Sequence, residues 1–220
     1  MATTATTTSA ADAVPAHGGR RLVDTMLRAR ELSILGALVV LVVVTAAVNS
    51  SFLSEQGIKD IFLNASILAL LAVGQTMVVI TRNIDLSVGS VVGLVAFASG
   101  KFVLGHDRNV LLVLVLGMAI GAACGLVNGV LVSFFRVPAL VVTLGTLYVI
   151  QGADYYWAHG QQINAADVPG SLLELGNGSV LGVPYLPLIT VVVMLAVGYY
   201  LRSYPSGREF YAIGSNPDAA

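Results

Sequence analysis

Long apolar runs separated by short polar segments constrain the fold of this chain more than any other feature. The clearest run, residues 110–132, contains 23 residues without a charge. A helix rises about 1.5 Å per residue, so roughly 20 apolar residues cross a hydrocarbon core of about 30 Å. Five further runs are candidate spans: 32–48, 61–81, 88–104, 137–150 and 186–201. The pattern predicts an all-α, polytopic transmembrane helical bundle with about six spans.

The composition excludes several classes of protein. Of the 220 residues, 56% are hydrophobic and only 10% are charged, whereas soluble domains carry about 25% charged residues. The net charge of −1 gives no indication of a nucleic-acid partner, and the lipid bilayer is the expected environment. The histidines are scattered and no phosphate-binding loop is present, so we predict no catalytic residue, no metal site and no cofactor. Any ATP hydrolysis would require another chain.

The distribution of basic residues predicts the orientation. With the amino terminus inside, six spans return the carboxyl end to the inside. The inside segments then contain Arg20, Arg21, Arg28, Arg30, Arg82, Arg136, Arg202 and Arg208. The outside segments contain Lys59, Lys101 and Arg108. This excess of eight against three agrees with the positive-inside rule, and removing one span would move several arginines to the wrong side.

Three segments need separate interpretation. Residues 1–31 are predicted to form a disordered basic cytoplasmic tail, and the run from Leu32 is too long for the apolar core of a signal peptide. The run 137–150 is short, and is either re-entrant or part of a helix that continues through the aromatic residues 155–157. The outside loop 151–185 is acidic and long, so it either carries a function or partner contact, or is a disordered connector.

Residues 82–90 place Arg82 and Asp85 between two apolar runs. Charges this close to a bilayer indicate a functional site by default. The simpler interpretation is that Asp85 caps the third span by accepting backbone N–H groups. We expect Arg82 to lie near enough to pair with Asp85, although an exposed pair contributes only about 0–1 kcal/mol.

A few polar side chains interrupt the spans, and each either lines a solute path or forms a hydrogen bond between helices. The bond is the favoured interpretation for any single one of these residues, which are Asn64, Ser66, Gln75, Thr76, Asn128, Thr143 and Thr146. The hypothesis for a substrate pathway or gate comprises Asp85, Ser87, Gln75, Asn128, Thr143 and Thr146.

Glycines recur at a spacing of four, which keeps them on one face of a helix. Small residues let two helix backbones approach closely in lipid. We therefore predict close helix packing at Gly89, Gly93, Gly117, Gly121, Gly125 and Gly129.

Three short segments follow one another along the chain. They are Ile-Asp-Leu-Ser-Val-Gly-Ser at 84–90, Pro-Ala-Leu-Val-Val-Thr-Leu-Gly-Thr at 138–146 with Gly152, and Gly-Arg-Glu-Phe-Tyr-Ala-Ile-Gly-Ser-Asn-Pro-Asp-Ala-Ala at 207–220. Together they resemble permease subunits of bacterial ABC importers for monosaccharides, in the branched-chain amino acid/ribose permease family. The amino-acid sequence before Asp85 is most similar to that of rhamnose-type permeases. The family often has Gly where this chain has Asn83 and Ser215.

The resemblance implies a membrane-spanning subunit that imports a ribose- or rhamnose-like sugar across the bacterial inner membrane. It implies three partners: a cytoplasmic ABC ATPase, an extracytoplasmic sugar-binding protein and a second permease chain. Residues 32–201 would form a partial permease domain, and 202–220 the start of the cytoplasmic coupling loop. The ATPase-coupling residues would be Gly207, Arg208, Tyr211, Gly214, Asn216, Asp218, Ala219 and Ala220.

The final segment is predicted to begin a helix, and the chain is expected to be shorter than members of the family. Asn216 and Pro217 fit the N-cap and first position of a helix, with Asp218 in its first turn. Family members continue well past the coupling loop with several more spans, so we expect a truncated permease or fragment.

Two other classes of function stay open. A passive channel or secondary transporter fits the spans equally well, although ion-coupled transporters place ionisable groups within them. Outside the Arg82–Asp85 boundary the only charged side chain in the assigned spans is Lys101, near the outer end of 88–104, which weighs against proton coupling. A non-transporting membrane fragment is the third possibility.

Overall fold

The structure is a computed structural model that describes residues 18–106, 109–180 and 182–215, with side chains from residue 32 onward. It contains two compact units, one ending at Ile58 and the other beginning at Lys59. The described part of the first unit contains helix α1 (Gly18–Val48), the turns that follow it and the first four residues of helix α2 (Glu55–Ile80). The second contains the rest of α2 and the remaining helices, and is described by itself below.

The described residues are almost entirely helical, as the apolar pattern predicts. The helices are α1 (Gly18–Val48), α2 (Glu55–Ile80), α3 (Val88–Val103), α4 (Val110–Ser133), α5 (Ala139–Ala158), α6 (Gly170–Asn177), α7 (Tyr185–Ser203) and α8 (Pro205–Ser215). A 3-10 turn at Ala165–Asp167 precedes α6. Strands β1 (Ser179–Val180) and β2 (Val183–Pro184) pair in antiparallel register between α6 and α7.

The predicted spans correspond to α1–α5 and α7. Three of these helices, α2, α4 and α7, are long and apolar enough to cross a membrane, and Leu32–Val48 and Val88–Val103 are shorter apolar stretches. Helix α5 continues to Ala158, so the structure favours the extended helix over a re-entrant segment of 14 residues. Helix α1 begins at Gly18, so residues 18–31 are helical and the prediction of disorder is wrong for them. Residues 1–17 lie outside the described residues.

The loop 151–185, predicted to lie outside, is ordered in its described part and contacts α3 through the hydrogen bond of Gln161 with Lys101. Its first eight residues belong to α5, and the rest form the 3-10 turn, α6 and the small hairpin. Helix α6 and strand β2 both pack against α7. The interpretation of this loop as a disordered connector is therefore wrong for its described part.

Helix α3 is the centre of the second unit, since it packs against both α4 and α5. Its buried residues include Ala98 and Val103, while large apolar side chains on α2, α4 and α7 remain exposed on the outer surface. Such a surface is costly in water and suits lipid or partner helices. The same arrangement places the residues that precede α3 between three helices.

Candidate functional site

The connection between α2 and α3 turns back into the helix bundle. The N–H of Asn83 donates to the carbonyl of Val78 at 3.2 Å, and the N–H of Arg82 donates to Val79 at 2.9 Å. Arg82 has φ +60°, the left-handed conformation that ends helices in a Schellman motif. Residues 83–86 then run without helical structure to the start of α3.

Side chains from neighbouring helices bind the backbone of this connection. Gln75 of α2 donates to the carbonyl of Asp85 at 3.1 Å. Thr143 of α5 donates to the carbonyl of Ile84 at 3.1 Å. The inner end of a helix is the end predicted to be cytoplasmic. Each of these two side chains lies four or five residues from the inner end of its helix, which corresponds to about 6–8 Å along the helix axis. Non-helical backbone at membrane depth requires such partners, because no water satisfies it there.

A chain of hydrogen bonds centres on Ser87. One carboxylate oxygen of Asp85, Oδ1, accepts the backbone N–H of Ser87 at 2.8 Å and its hydroxyl at 2.6 Å. Asn128 of α4 donates from Nδ2 to the Ser87 hydroxyl oxygen at 2.9 Å. Ser87 is only 1% exposed and Asn128 only 7%. The Oδ1 atom of Asn128 is buried and has no partner among the described residues.

Two expectations about Asp85 need correction. Ser87, and not Asp85, occupies the N-cap of α3, while Asp85 accepts the N–H of Ser87 itself. Arg82 does not pair with Asp85. Its Nη2 atom instead lies 3.4 Å from the carbonyl oxygen of Ser215 at the end of α8.

These residues border a cavity of about 290 Å³, called the inner cavity below. Its polar lining comprises Thr81, Asn83, Asp85, Asn128 and Thr143, and helix α8 contributes Phe210. The cavity contains hydroxyl, amide and carboxylate groups and no basic side chain among its lining residues. Such a surface can exchange hydrogen bonds with a neutral polar solute.

Helix α8 lies against the inner ends of α7 and α2. A Cβ atom at Gly207 would collide with the backbone carbonyl of Tyr200, and a Cβ at Gly214 would collide with the carbonyl of Ile80. Both glycines are buried. Glycine at these positions therefore allows α8 to contact the backbone of two spans directly.

The structure brings together only part of the predicted pathway. Asp85, Asn128 and Thr143 line the inner cavity, while Gln75 and Ser87 bond to the residues around it. Thr146 donates to the carbonyl of Thr143 in its own helix. Three other polar side chains also bond within their own helix: Asn64, Ser66 and Thr76.

The predicted coupling residues divide into three groups. Gly207 and Gly214 are buried on the side of α8 that contacts the spans. Arg208 and Tyr211 are exposed on α8. The others, including the predicted helix start at Asn216, lie outside the described residues: Asn216, Asp218, Ala219 and Ala220.

Most of the predicted glycine contacts are not formed among the described residues. A Cβ at Gly117 would lie 3.1 Å from Val95 of α3, which fits the predicted close packing. A Cβ at Gly93 would lie 3.6 Å from the Asp154 carboxylate of α5. The other four meet nothing within 4 Å of a Cβ in the described part of the chain: Gly89, Gly121, Gly125 and Gly129. Of these, Gly125 and Gly129 border the inner cavity.

Sequence reasoning missed Thr81, Asn83 and Phe210 of the inner cavity, and also Asp154. Phe210 enters the inner cavity from an amphipathic helix, and only the apolar spacing of α8 indicates it. Asp154 lies within α5, because that helix continues beyond Ile150. Away from the Arg82–Asp85 boundary the spans therefore contain a carboxylate as well as Lys101, and the argument against an ionisable group within them is wrong.

Comparison with known proteins identifies one family. A family model described as "Branched-chain amino acid transport system / permease component" matches residues 57–220. No solved structure matches the chain significantly.

Several curated proteins are similar over most of the chain. The autoinducer 2 import system permease protein LsrC of Enterobacter sp. (strain 638) is 42% identical over 196 residues, which cover 89% of this chain and 56% of that protein. The protein of the same name from Klebsiella pneumoniae subsp. pneumoniae has the same identity and coverage. That of Escherichia coli (strain K12 / DH10B) is 36% identical over 191 residues, covering 87% and 55%. The chain thus spans about half the length of the curated relatives it matches.

Proposed function

We propose that this chain, which belongs to the family of permease components of branched-chain amino acid transport systems, forms part of the membrane pathway of an ABC importer. The family confirms the predicted resemblance to a permease, the all-α polytopic fold and a transporter subunit in place of an enzyme. It also agrees with a multi-pass protein of the bacterial inner membrane. The transported solute, the partners and the residue roles are proposals.

The main support for this proposal is the contact of α8 with the spans. Gly214 lies against the end of α2, Arg82 reaches Ser215, and Phe210 borders the inner cavity. A displacement of α8 would therefore change the cavity wall and the α2–α3 connection together. An importer whose energy comes from a separate cytoplasmic subunit needs a mechanical connection of this kind.

In the proposed cycle, an extracytoplasmic binding protein delivers the solute to the outer face. ATP binding and hydrolysis in a cytoplasmic ABC ATPase move α8, and residues 216–220 would extend that contact surface. The spans of this chain and of a second permease chain alternate between outward and inward access. Asp85, Ser87 and Asn128 hold the inner cavity in one of these arrangements through hydrogen bonds.

The proposed solute is a small, neutral, polyhydroxylated molecule. The inner cavity offers hydrogen-bond donors and acceptors without a basic group to attract an anion. A ribose- or rhamnose-like sugar fits this chemistry, and the curated relatives are named for autoinducer 2 import. We therefore propose this class of solute and treat autoinducer 2, D-ribose and L-rhamnose as the probes.

The test is uptake of the three labelled probes by cells that express the gene for this chain with its neighbouring transporter genes. We expect uptake of at least one probe, and we expect deletion of the ATPase gene to abolish it. Uptake that survives the loss of the ATPase would contradict the proposal and favour a channel or secondary transporter.

A second measurement tests the role of α8. The chain should copurify with the ATPase from detergent-solubilised membranes, and exchange of Tyr211 on the exposed face of α8 for aspartate should weaken this association. Tyr199→Asp on the equally exposed outer surface of α7 is unsuitable as a control because it would place a charge in lipid. Ser171→Asp adds the same charge at an exposed position of α6, which is predicted to lie outside, and is the matched control. Equal association of the parent and both variants would contradict an α8 contact.

A further inference from the structure

A second cavity lies between α3 and α5, nearer the outer side. Its volume is about 350 Å³, and it is called the outer cavity below. Small residues of α3 form one wall, and α5 forms the other with residues spaced three or four apart on one face. The lining residues are Gly89, Ser90, Gly93, Leu147, Gln151, Asp154 and Tyr155.

Asp154 is the acidic residue of this cavity, and one oxygen of its carboxylate lacks a hydrogen-bond partner among the described residues. Its Oδ1 atom is buried and has no hydrogen-bond partner in the described part of the chain. Its Oδ2 atom faces α3 across the space left by Gly93, where a Cβ would lie 3.6 Å away. A carboxylate within a membrane span is costly and calls for a partner. Among the described residues, neither Ser90 nor Gln151 supplies a partner to the Oδ1 atom.

The nearest basic side chain on α3 is already engaged. Lys101 lies more than two helical turns beyond Gly93 and donates to Gln161 at 2.7 Å. Its ammonium group also lies 5.9 Å from the ring centre of Phe97. That ring packs edge-on against Trp157, which joins α3 to α5 outside the cavity. Lys101 therefore belongs to the outer contact between the helices and leaves the Asp154 carboxylate unpaired.

The first turn of α3 connects the outer cavity to the inner one. Ser90 lines the outer cavity and donates to the carbonyl of Ser87 at 2.8 Å. Ser87 bonds to Asp85 and Asn128, which both line the inner cavity. Polar groups thus follow one another from Asp154 to the inner end of the spans.

We infer that the outer cavity is a binding site for the hydroxyl groups of the transported solute, with the Asp154 carboxylate as their acceptor. This inference rests on the proposed import function and assigns the solute contact to α3 and α5. A hydroxyl group of a polyhydroxylated solute donates to the Oδ2 atom of Asp154, the oxygen that faces α3 across Gly93. The Gln151 amide and the Ser90 hydroxyl provide further hydrogen bonds at the cavity edge. Charged acceptors form stronger hydrogen bonds than neutral ones, which gives Asp154 its advantage over asparagine.

The test compares uptake kinetics of the parent with those of Asp154→Asn and Gly93→Val. The probes are labelled autoinducer 2, D-ribose and L-rhamnose, in cells that express the gene for this chain with its neighbouring transporter genes. We expect the asparagine variant to raise the apparent KM about tenfold with a smaller change in maximal rate. Gly93→Val fills the cavity from the opposite wall and should also raise the apparent KM.

Glu174→Gln is the matched control, because it removes one carboxylate from the exposed surface of α6. It should leave the kinetics unchanged, and all variants should insert in the membrane and copurify with the ATPase like the parent. An Asp154→Asn protein with the kinetics of the control overturns the inference. Loss of insertion or copurification in that variant overturns it as well, because Asp154 would then be a structural group.

Two further outcomes separate the possible explanations. Parent uptake that depends on Na⁺ or a proton gradient, with the dependence lost in Asp154→Asn, would make Asp154 a cation site and overturn the inference. A parent that takes up none of the probes overturns the proposed import function, and the inference with it. Normal parent uptake with unchanged variant kinetics overturns the inference alone.

Discussion

Ser87 is the residue that joins the α2–α3 connection to α4. Its hydroxyl donates to Asp85 and accepts from Asn128, and it is almost completely buried. A double-mutant cycle with Ser87→Ala and Asn128→Ala measures this coupling directly. Hydrogen bonds between membrane helices contribute about 0.6 kcal/mol on average and at most about 1.7 kcal/mol. We expect a coupling free energy in this range, measured by denaturant unfolding in detergent, and additive effects would contradict the bond.

Asp85 supports the start of α3 through one carboxylate oxygen. An asparagine side chain presents an oxygen at the same position, so Asp85→Asn should retain both bonds to Ser87. Asp85→Ala leaves a buried N–H unsatisfied and should lower the free energy of unfolding by about 1–3 kcal/mol. We expect Asp85→Asn to fold normally but to weaken transport or assembly. If the Asp85→Asn variant transports the solute at the rate of the parent, Asp85 acts only as a hydrogen-bond acceptor that stabilises the fold.

Arg82 combines a strained backbone with a contact to α8. A left-handed conformation costs a non-glycine residue about 1–2 kcal/mol, which Arg82→Gly should relieve. The same variant loses the guanidinium contact with Ser215. We therefore expect Arg82→Gly to unfold at higher denaturant concentration than Arg82→Ala, with uptake lowered equally in both. Parent-like uptake in both variants would show that the contact with Ser215 plays no part in coupling.

The sequence predicted the individual polar residues of the inner cavity better than their partners. Asp85, Asn128 and Thr143 stand out because polar groups are rare in apolar runs. Their partners lie 41 or 59 residues away along the chain, as in the bonds from Asn128 to Ser87 and from Thr143 to Ile84. Helical periodicity gives no information about such distances, so the inward turn of residues 83–86 was not predictable from it.

Among the elements, the apolar pattern did not reveal α6 and α8, and α8 is the one that borders the inner cavity. It has 11 residues and many polar ones, so a hydropathy analysis passes over it. Pro205 at its first position was a usable signal, because proline is favoured where the first N–H needs no partner. The end of α5 was left open between two alternatives for a related reason, since Gly152 and Asp154 interrupt the apolar run while the helix continues to Ala158.

Glycine contacts determine whether α8 can lie against the spans. Gly214→Ala places a methyl group against the Ile80 carbonyl and should displace α8 from α2. We expect faster hydrogen exchange in α8 and weaker copurification with the ATPase, while membrane insertion stays normal. Gly198→Ala on α7 is the control, since its Cβ meets nothing within 4 Å among the described residues. Unchanged exchange in the Gly214 variant would contradict the close contact.

At the scale of the whole molecule, the distribution of arginines and the helix order predict opposite locations for the two ends of α7. The preceding hairpin should lie outside and the α7–α8 junction inside, because six spans put most arginines on the inner side. Two single-cysteine variants test this in a Cys124→Ala background: Ser179→Cys in β1 and Ser203→Cys at the end of α7, both at exposed positions. A membrane-impermeant maleimide should label the first in spheroplasts and the second only after permeabilisation. Labelling of both in intact spheroplasts would contradict the predicted passage of α7. The reversed pattern would require either an even number of spans before α7 or an amino terminus on the outside, and the second case would place Arg82 and Arg136 outside against the charge rule.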